Sequence, residues 1–258
     1  MYDFSGKTIA VTGGGSGMGR ETVYKLVESG ANVAVLDLRL DAAKEVAAEV
    51  NSKKVEGRAF PVAVDVADAS SVEAAFSAVV GEFGTLYGLV NCAGIALGEG
   101  GVVECKETAW DKTMDVNVKG IFLTGKYAIP HMIEAGQGAV VNIASVFGFV
   151  VNKDECAYAA SKGAVVNLTR QMAVQHAVDG VRVNAVCPSD ADTPLIANLL
   201  GTTGEELEKG KAELASPIPM GHLAKVEDIA DAILYLLSDR SKFITGVNLP
   251  VDGGFLLQ

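Results

Sequence analysis

Tyr158 and Lys162 stand four residues apart in the stretch AYAASKG, residues 157–163. In a helix, positions i and i+4 share one face, so the phenol and the ammonium become neighbours. A free tyrosine has a pKa of about 10, too high for a base at neutral pH, and an adjacent cation lowers it by favouring the phenolate. The pair can therefore move a proton. Ser145 ends the apolar run GAVVNIAS and offers a hydroxyl that can hold a substrate oxygen while Tyr158 takes or gives its proton. Asn117, in DVNVKG, falls on a predicted helix passing the same place. A hydride acceptor would have to come from a cofactor such as a nicotinamide.

These groups need a scaffold that brings them to one place. Val/Ile-rich runs at 7–13, 31–37, 57–66, 86–94, 138–145, 180–188 and 243–254 read as seven strands. Helical patterns lie between them, including 20–30, 41–53, 68–84 with Asp68 as N-cap, and a long helix from Tyr158 to about Ala177. The strands are almost continuously apolar, as expected when helices cover both faces of a sheet. The expected fold is α/β, a Rossmann-like doubly wound parallel sheet of about seven strands, in a single domain spanning residues 1–258. Residues 189–223 are charged and Gly-punctuated, and are expected to form a mobile lid over the site.

TGGGSGMGR, residues 12–20, lies between the first strand and the first helix, where backbone N–H groups and a helix N-terminus can receive a phosphate. A Walker loop is excluded because Arg20 and Glu21, rather than Lys and Ser/Thr, follow Gly19. Met18 breaks both the GxGxxG fingerprint and a GxSxG nucleophile elbow. The pattern that remains is Gly13-x-x-x-Gly17-x-Gly19, with Ser16 and Met18 inside the loop. The second strand ends at Asp37, eighteen residues after Gly19, where an acid can accept hydrogen bonds from an adenosine ribose and repel a 2′-phosphate. NAD is therefore the expected cofactor, although Arg39, two residues on, is a cation that NADP could use.

The chain has 258 residues, 49% of them hydrophobic and 21% charged, and a formal net charge of −11. That balance disfavours nucleic acid and anionic membrane as partners, and mildly disfavours an acidic carrier protein. The expectation is a cytoplasmic protein without signal peptide or membrane span, with four reduced cysteines and no metal; His131, His176 and His222 show no ligand spacing. Trp110 is expected in core or interface packing.

Taken in order, TGGGSGMG, Asp65-Val66, the NCAG of residues 91–94, Asn117, Ser145, YAASK and the late DGG at Asp252 resemble the short-chain dehydrogenase/reductase family over essentially the whole chain. The resemblance implies that Tyr158 is the acid/base, that Ser145 polarises the substrate carbonyl, and that Lys162 binds the nicotinamide ribose and lowers the pKa of Tyr158. It further implies that Asn117 orders a relay water and that Asp65 and Val66 meet the adenine. Asn91, with Ala93 and Gly94, would lie along the cofactor, with Pro188 and Thr193 at its carboxamide end. A homotetramer is implied as well. The Tyr-to-Lys gap of four resembles alcohol and carbonyl members rather than enoyl reductases.

Ile95, Leu97, Phe147, Phe149, Val150, Val151, Leu195 and Ile196 are expected to wall a pocket for an apolar or cyclic secondary alcohol or its ketone. The family's usual Pro-Gly is here Pro188-Ser189, followed by Asp190, and this pair is expected to border the nicotinamide end of the site. The helix start after it is read as Asp192 or Thr193 capping and Pro194 at the first position. Two other functions remain open at this point: an NADPH-linked 3-oxoacyl reductase and a non-catalytic NAD-bound sensor.

Overall fold

The computed structural model describes residues 2–53, 55–97 and 100–258. Seven strands form one sheet in the order β3-β2-β1-β4-β5-β6-β7. They are β1 (Thr8–Thr12), β2 (Asn32–Asp37), β3 (Arg58–Ala63), β4 (Gly88–Asn91), β5 (Gly138–Ile143), β6 (Val181–Pro188) and β7 (Asn248–Val251). Every pairing is parallel. Between them run α1 (Gly17–Glu28), α2 (Leu40–Asn51), α3 (Ala69–Phe83), α4 (Glu107–Met114), α5 (Gly120–Glu134), α6 (Cys156–His176), α7 (Pro194–Leu200), α8 (Glu205–Ala215) and α9 (Val226–Leu237).

The period-two alternation of side chains along a strand builds two separate cores. Ile9, Val11, Val33, Val35, Val90 and Val141 pack with α1, α2 and α9 on one face. Ala10, Ala34, Leu36, Leu89, Val140 and Val183 pack with α3, α5 and α6 on the other. β1 and β5 are buried throughout, which is why their sequences carry no polar alternation. Among the described residues, no helix is long and apolar enough to cross a membrane.

Several strands stop short of their apolar runs. β4 ends at Asn91, β3 at Ala63, and β7 covers only Asn248–Val251. Beyond those points the chain leaves its neighbours and turns over the carboxyl edge of the sheet. Residues 189–223, charged and Gly-punctuated in sequence, hold two helices, α7 and α8. Gly210 lies inside α8 because Leu200 packs where its side chain would be, with a Cβ there only 3.0 Å from Leu200 Cδ1. As read from the sequence, Asp68 caps α3 by accepting the Ser71 N–H, and Thr193 precedes Pro194 at the start of α7.

Strand order reverses between β1 and β4, each lying beside the other while their further connections run in opposite directions across the sheet. A crevice opens at such a point. The glycines of the β1–α1 loop are what let it close tightly there. Gly13 has φ +64°, and a Cβ on it would lie 2.9 Å from the Ala93 nitrogen in the loop after β4. A Cβ on Gly19 would run into the Gly13 carbonyl. Gly19→Ala must push α1 away from the loop and is expected to cost about 2 kcal/mol or more of unfolding free energy. Urea melts of the purified variant would read this directly, and an unchanged midpoint would show that the contact is not tight.

Candidate active site

Over the carboxyl ends of β1, β2 and β4 lies a cleft of about 1260 Å³. Gly13, Ser16, Gly17, Met18 and Gly19 line it from one side, Asp37, Leu38 and Arg39 from the end of β2 and the turn after it, and Asp65, Val66, Ala93, Gly94 and Thr193 from the rest. The first turn of α1 carries no acidic residue, and Ser16 makes no side-chain cap, so its N–H groups are left for an anion. This uncapped helix end beside an acid at the tip of β2 fits a dinucleotide: its diphosphate at α1 and its ribose near Asp37.

Asp37 is 8% exposed and does two jobs at once. Its Oδ2 accepts the Gly15 N–H at 3.0 Å, and its Oδ1 accepts the Arg39 N–H at 2.9 Å. A Cβ on Gly15 would come within 2.8 Å of Asp37 Oδ2, so the middle glycine of the loop is required by the acid across from it. The acid thus holds the loop and keeps oxygen lone pairs toward the cleft.

A second, smaller space of about 770 Å³ continues from the first, sharing Met18, Cys92, Gly94, Ile95, Thr193 and Leu195. Its walls bring together Ser145, Tyr158 and Lys162. Ser145 follows β5 and is 6% exposed; its Oγ accepts the Phe147 N–H at 3.2 Å, which leaves the hydroxyl proton for a substrate oxygen. Tyr158 sits in the first turn of α6 with its ring edge-to-face against Phe147, centroids 6.3 Å apart. Lys162 is one turn further on, its Nζ 5.5 Å from the centre of the Tyr158 ring and donating to the Ile143 carbonyl at 2.8 Å. Burial pulls the Lys162 ammonium down to about 8. It still holds its proton at neutral pH, so a positive charge remains beside the phenol.

Asn117 lies on a π-helical turn, Asp115–Lys119, between α4 and α5. Sequence periodicity predicts only helix there; the extra residue of the wider turn, a frequent feature of functional sites, has no simple sequence signature. Asn117 is 1% exposed, and its amide is clamped. Oδ1 accepts the Ile95 N–H, and Nδ2 donates to the Ile95 carbonyl, both at 2.9 Å, while Nδ2 also reaches Ser161 Oγ at 3.0 Å. Ser161 in turn donates to the Tyr158 carbonyl at 2.7 Å. Asn117 is thereby a brace between the loop after β4 and the helix that carries Tyr158.

Five expected site residues, Asn91, Leu97, Phe149, Val150 and Val151, lie elsewhere. The Asn91 side chain is buried under the sheet, donating to Asn142 Oδ1 and accepting from Thr124 Oγ1, both at 2.8 Å. The alternation that puts Leu89 in the α5/α6 core puts Asn91 on the same face, away from the cleft. Phe149 is 42% exposed and faces a shallow outer groove with Val150 and Val151, because the 3₁₀ turn Val146–Gly148 rotates it away from Phe147. Leu97 is 43% exposed and does not line the pocket. Ile95, Phe147, Asp190, Leu195 and Ile196 do line it, as does Pro188. Trp110 is 38% exposed on α4 rather than in the core. Sequence reasoning missed Gly15, Ser161, Glu155, Lys112 and Cys92. The last lines both spaces, with burial pushing its thiol to about 12, so it presents a wall and not a nucleophile.

A family model described as Enoyl-(Acyl carrier protein) reductase matches residues 13–256. The chain is 42% identical to 2-(S)-hydroxypropyl-CoM dehydrogenase 3 of Xanthobacter autotrophicus, over 96% of both chains. It is 40% identical to cis-4-hydroxycyclohexanecarboxylate dehydrogenase of Sinomonas cyclohexanicum, over 98% of this chain and 97% of the relative. It is 36% identical to meso-2,3-butanediol dehydrogenase of Serratia marcescens, over 97% and 95%. The crystal structure of levodione reductase superposes with a TM-score of 0.92 at 31% identity, covering 97% of this chain and 98% of that one. Near-complete coverage by dehydrogenases, on a cleft and pocket built as described, identifies the chain as a member of the short-chain dehydrogenase/reductase family of oxidoreductases.

Proposed function

We propose that the protein is an NAD-dependent dehydrogenase that interconverts an apolar or cyclic secondary alcohol and its ketone. The observation that carries this reading is the convergence of Ser145, Tyr158 and Lys162 on one largely apolar pocket continuous with the cleft at Asp37. The relatives' names, which include secondary alcohols on rings and a diol, support the same substrate class.

When bound, a nicotinamide supplies the acceptor for the hydride that leaves the carbinol carbon. The chain does the rest. Ser145 donates a hydrogen bond to the substrate oxygen and orients it. The ionised Tyr158 oxygen takes the hydroxyl proton as the carbonyl forms, and returns it in the reverse direction. Lys162, held by Ile143, keeps a positive charge where the phenolate develops. Cys92, Ile95 and Phe147 exclude water. The Tyr158-to-Lys162 spacing of four favours carbonyl over enoyl chemistry. We include in this reading a cytoplasmic homotetramer; exposed Phe122 and Ile133 on α5 and Val174 on α6 support association.

Tyr158→Phe should abolish turnover while NADH still binds by fluorescence, and adding Lys162→Ala should lower the rate little further, since the two act as a unit. Substantial activity in Tyr158→Phe would overturn the assignment.

Lys162 also makes a stability prediction. Its native pKa of about 8 lies below the ordinary 10.5, so between those values the unfolded chain binds more protons and stability rises with pH. Below about pH 8 the burial cost is fully present. The cofactor-free Lys162→Met variant should therefore be more stable than wild type at pH 7, by about 1–3 kcal/mol, with the gap closing toward pH 10. Melting both proteins across that range checks it; a less stable variant at pH 7 would show that the ammonium is not held at a loss.

Asp37 is expected to select NAD by repelling a 2′-phosphate. Asp37→Ala should lower the ratio of kcat/KM for NAD over NADP by about tenfold or more, with Arg39 and Lys112 on the cleft wall to receive the phosphate. A wild type that already prefers NADP would refute this.

A further inference from the structure

Asp190 has no part in the chemistry just described, yet it stands on the wall of the same pocket as Ser145 and Tyr158. A solvated loop acid would lie between exposed neighbours. Asp190 instead lies between Ser189, 9% exposed, and Ala191, 6% exposed. The backbone here is pinned on both sides. Ser189 N–H donates to the Val251 carbonyl at 3.3 Å, the Asp190 carbonyl accepts the Ala224 N–H at 3.1 Å, and Asp192 N–H donates to the Ala224 carbonyl at 2.9 Å. The last two bonds form an isolated parallel bridge between Ala191 and Ala224.

The carboxylate itself is unserved. Among the described residues it accepts no hydrogen bond and forms no ion pair, and its pKa is raised by burial alone. A half-buried acceptor without a donor is costly unless a ligand supplies one. Ile95, Phe147, Leu195, Ile196 and Leu199 on the same wall contribute no donor, and the lining hydroxyls of Ser189 and Thr193 make no hydrogen bond to it. Among the described lining residues the only cation is Lys162, which is already committed to Ile143, while Glu155 adds a second acid.

Resting on the dehydrogenase reading above, we infer that Asp190 is a specificity residue that accepts a hydrogen bond from a second, non-reacting hydroxyl of the substrate. The preferred substrate is thus a neutral diol rather than a simple alcohol or a hydroxy acid. A carboxylate-bearing substrate would bring another negative charge into a pocket with two acids and no uncommitted cation. A diol satisfies Asp190, and a mono-alcohol leaves it bare, the asymmetry by which a buried polar group rejects an analogue lacking its partner.

The test compares 2,3-butanediol, 2-butanol, 3-hydroxybutyrate and 1-amino-2-propanol as substrates of wild type, Asp190→Asn and Asp190→Leu. Wild type should use the diol best and 3-hydroxybutyrate worst. The diol-to-2-butanol ratio of kcat/KM should fall about 10- to 100-fold in Asp190→Leu and less in Asp190→Asn, whose amide oxygen still accepts. NADH binding confirms that each variant is folded. An unchanged ratio in both variants overturns the inference while leaving the dehydrogenase reading intact. So does a uniform loss on all substrates with a raised KM for NAD, which would place Asp190 at the cofactor, or a wild type that prefers the amino alcohol, which would make it a cation site. Wild type inactive on every alcohol with either nicotinamide would overturn both.

Discussion

A charged lysine at 5% exposure, hung from the last carbonyl of β5, is the constraint around which the site is arranged. An ammonium in such a place is tolerated only if its hydrogen bond is secure and the surroundings cannot relax. The neighbouring parts meet that demand. Gly94 borders the ammonium, and a Cβ there would meet Nζ at 3.8 Å and Asn117 Oδ1 at 3.4 Å, both ordinary contacts. Asn117 fixes Ile95 on one side and Ser161 on the other. Gly148 lets the turn after Ser145 lie against α6, where a Cβ would be 3.0 Å from the Lys162 carbonyl. The result is a positive charge held next to the Tyr158 ring by a frame that spans β4, β5 and α6.

Beneath that frame runs a second polar chain that never reaches the pocket. Thr124, Asn91, Asn142 and Thr169 are joined in series at 2.8–2.9 Å. It ties α5 and α6 to the two central strands through groups that are otherwise buried in hydrocarbon. Every member has a partner, which is the condition under which a buried polar network rigidifies a core rather than weakening it.

Much of this was legible in the residues. Continuous Val-rich runs announced a parallel sheet covered on both faces, and Gly13, Gly17 and Gly19 with Asp37 announced the cleft, because those features act locally. What escaped depended on three-dimensional neighbours. Asn91 sits in a motif shared with cofactor-binding loops, but only strand phase shows that its side chain turns inward. Phe147 and Phe149 look equivalent in sequence; a single 3₁₀ turn separates them. α8 was hidden by Gly210, whose place in the helix is explained only by Leu200 from the preceding element. Ser161 and Gly15 are unremarkable residue types, and their importance lies entirely in the atoms opposite them.

The π-helical turn at Asp115–Lys119 carries an implication for how this fold can change length. It holds one residue more than a regular helix would need to join α4 to α5. Deleting a residue there would restore uninterrupted α-helical winding, and the backbone would gain regularity. Each residue of an α-helix advances about 100° around the axis. The shortened helix would therefore turn Asn117 away from Ile95 and Ser161, or else twist all of α4 relative to the sheet. Local folding and site assembly favour different chain lengths at this point. The irregularity should persist wherever the brace is needed, and indels among related chains should be absent from it while falling in the loops before α4 and after α5.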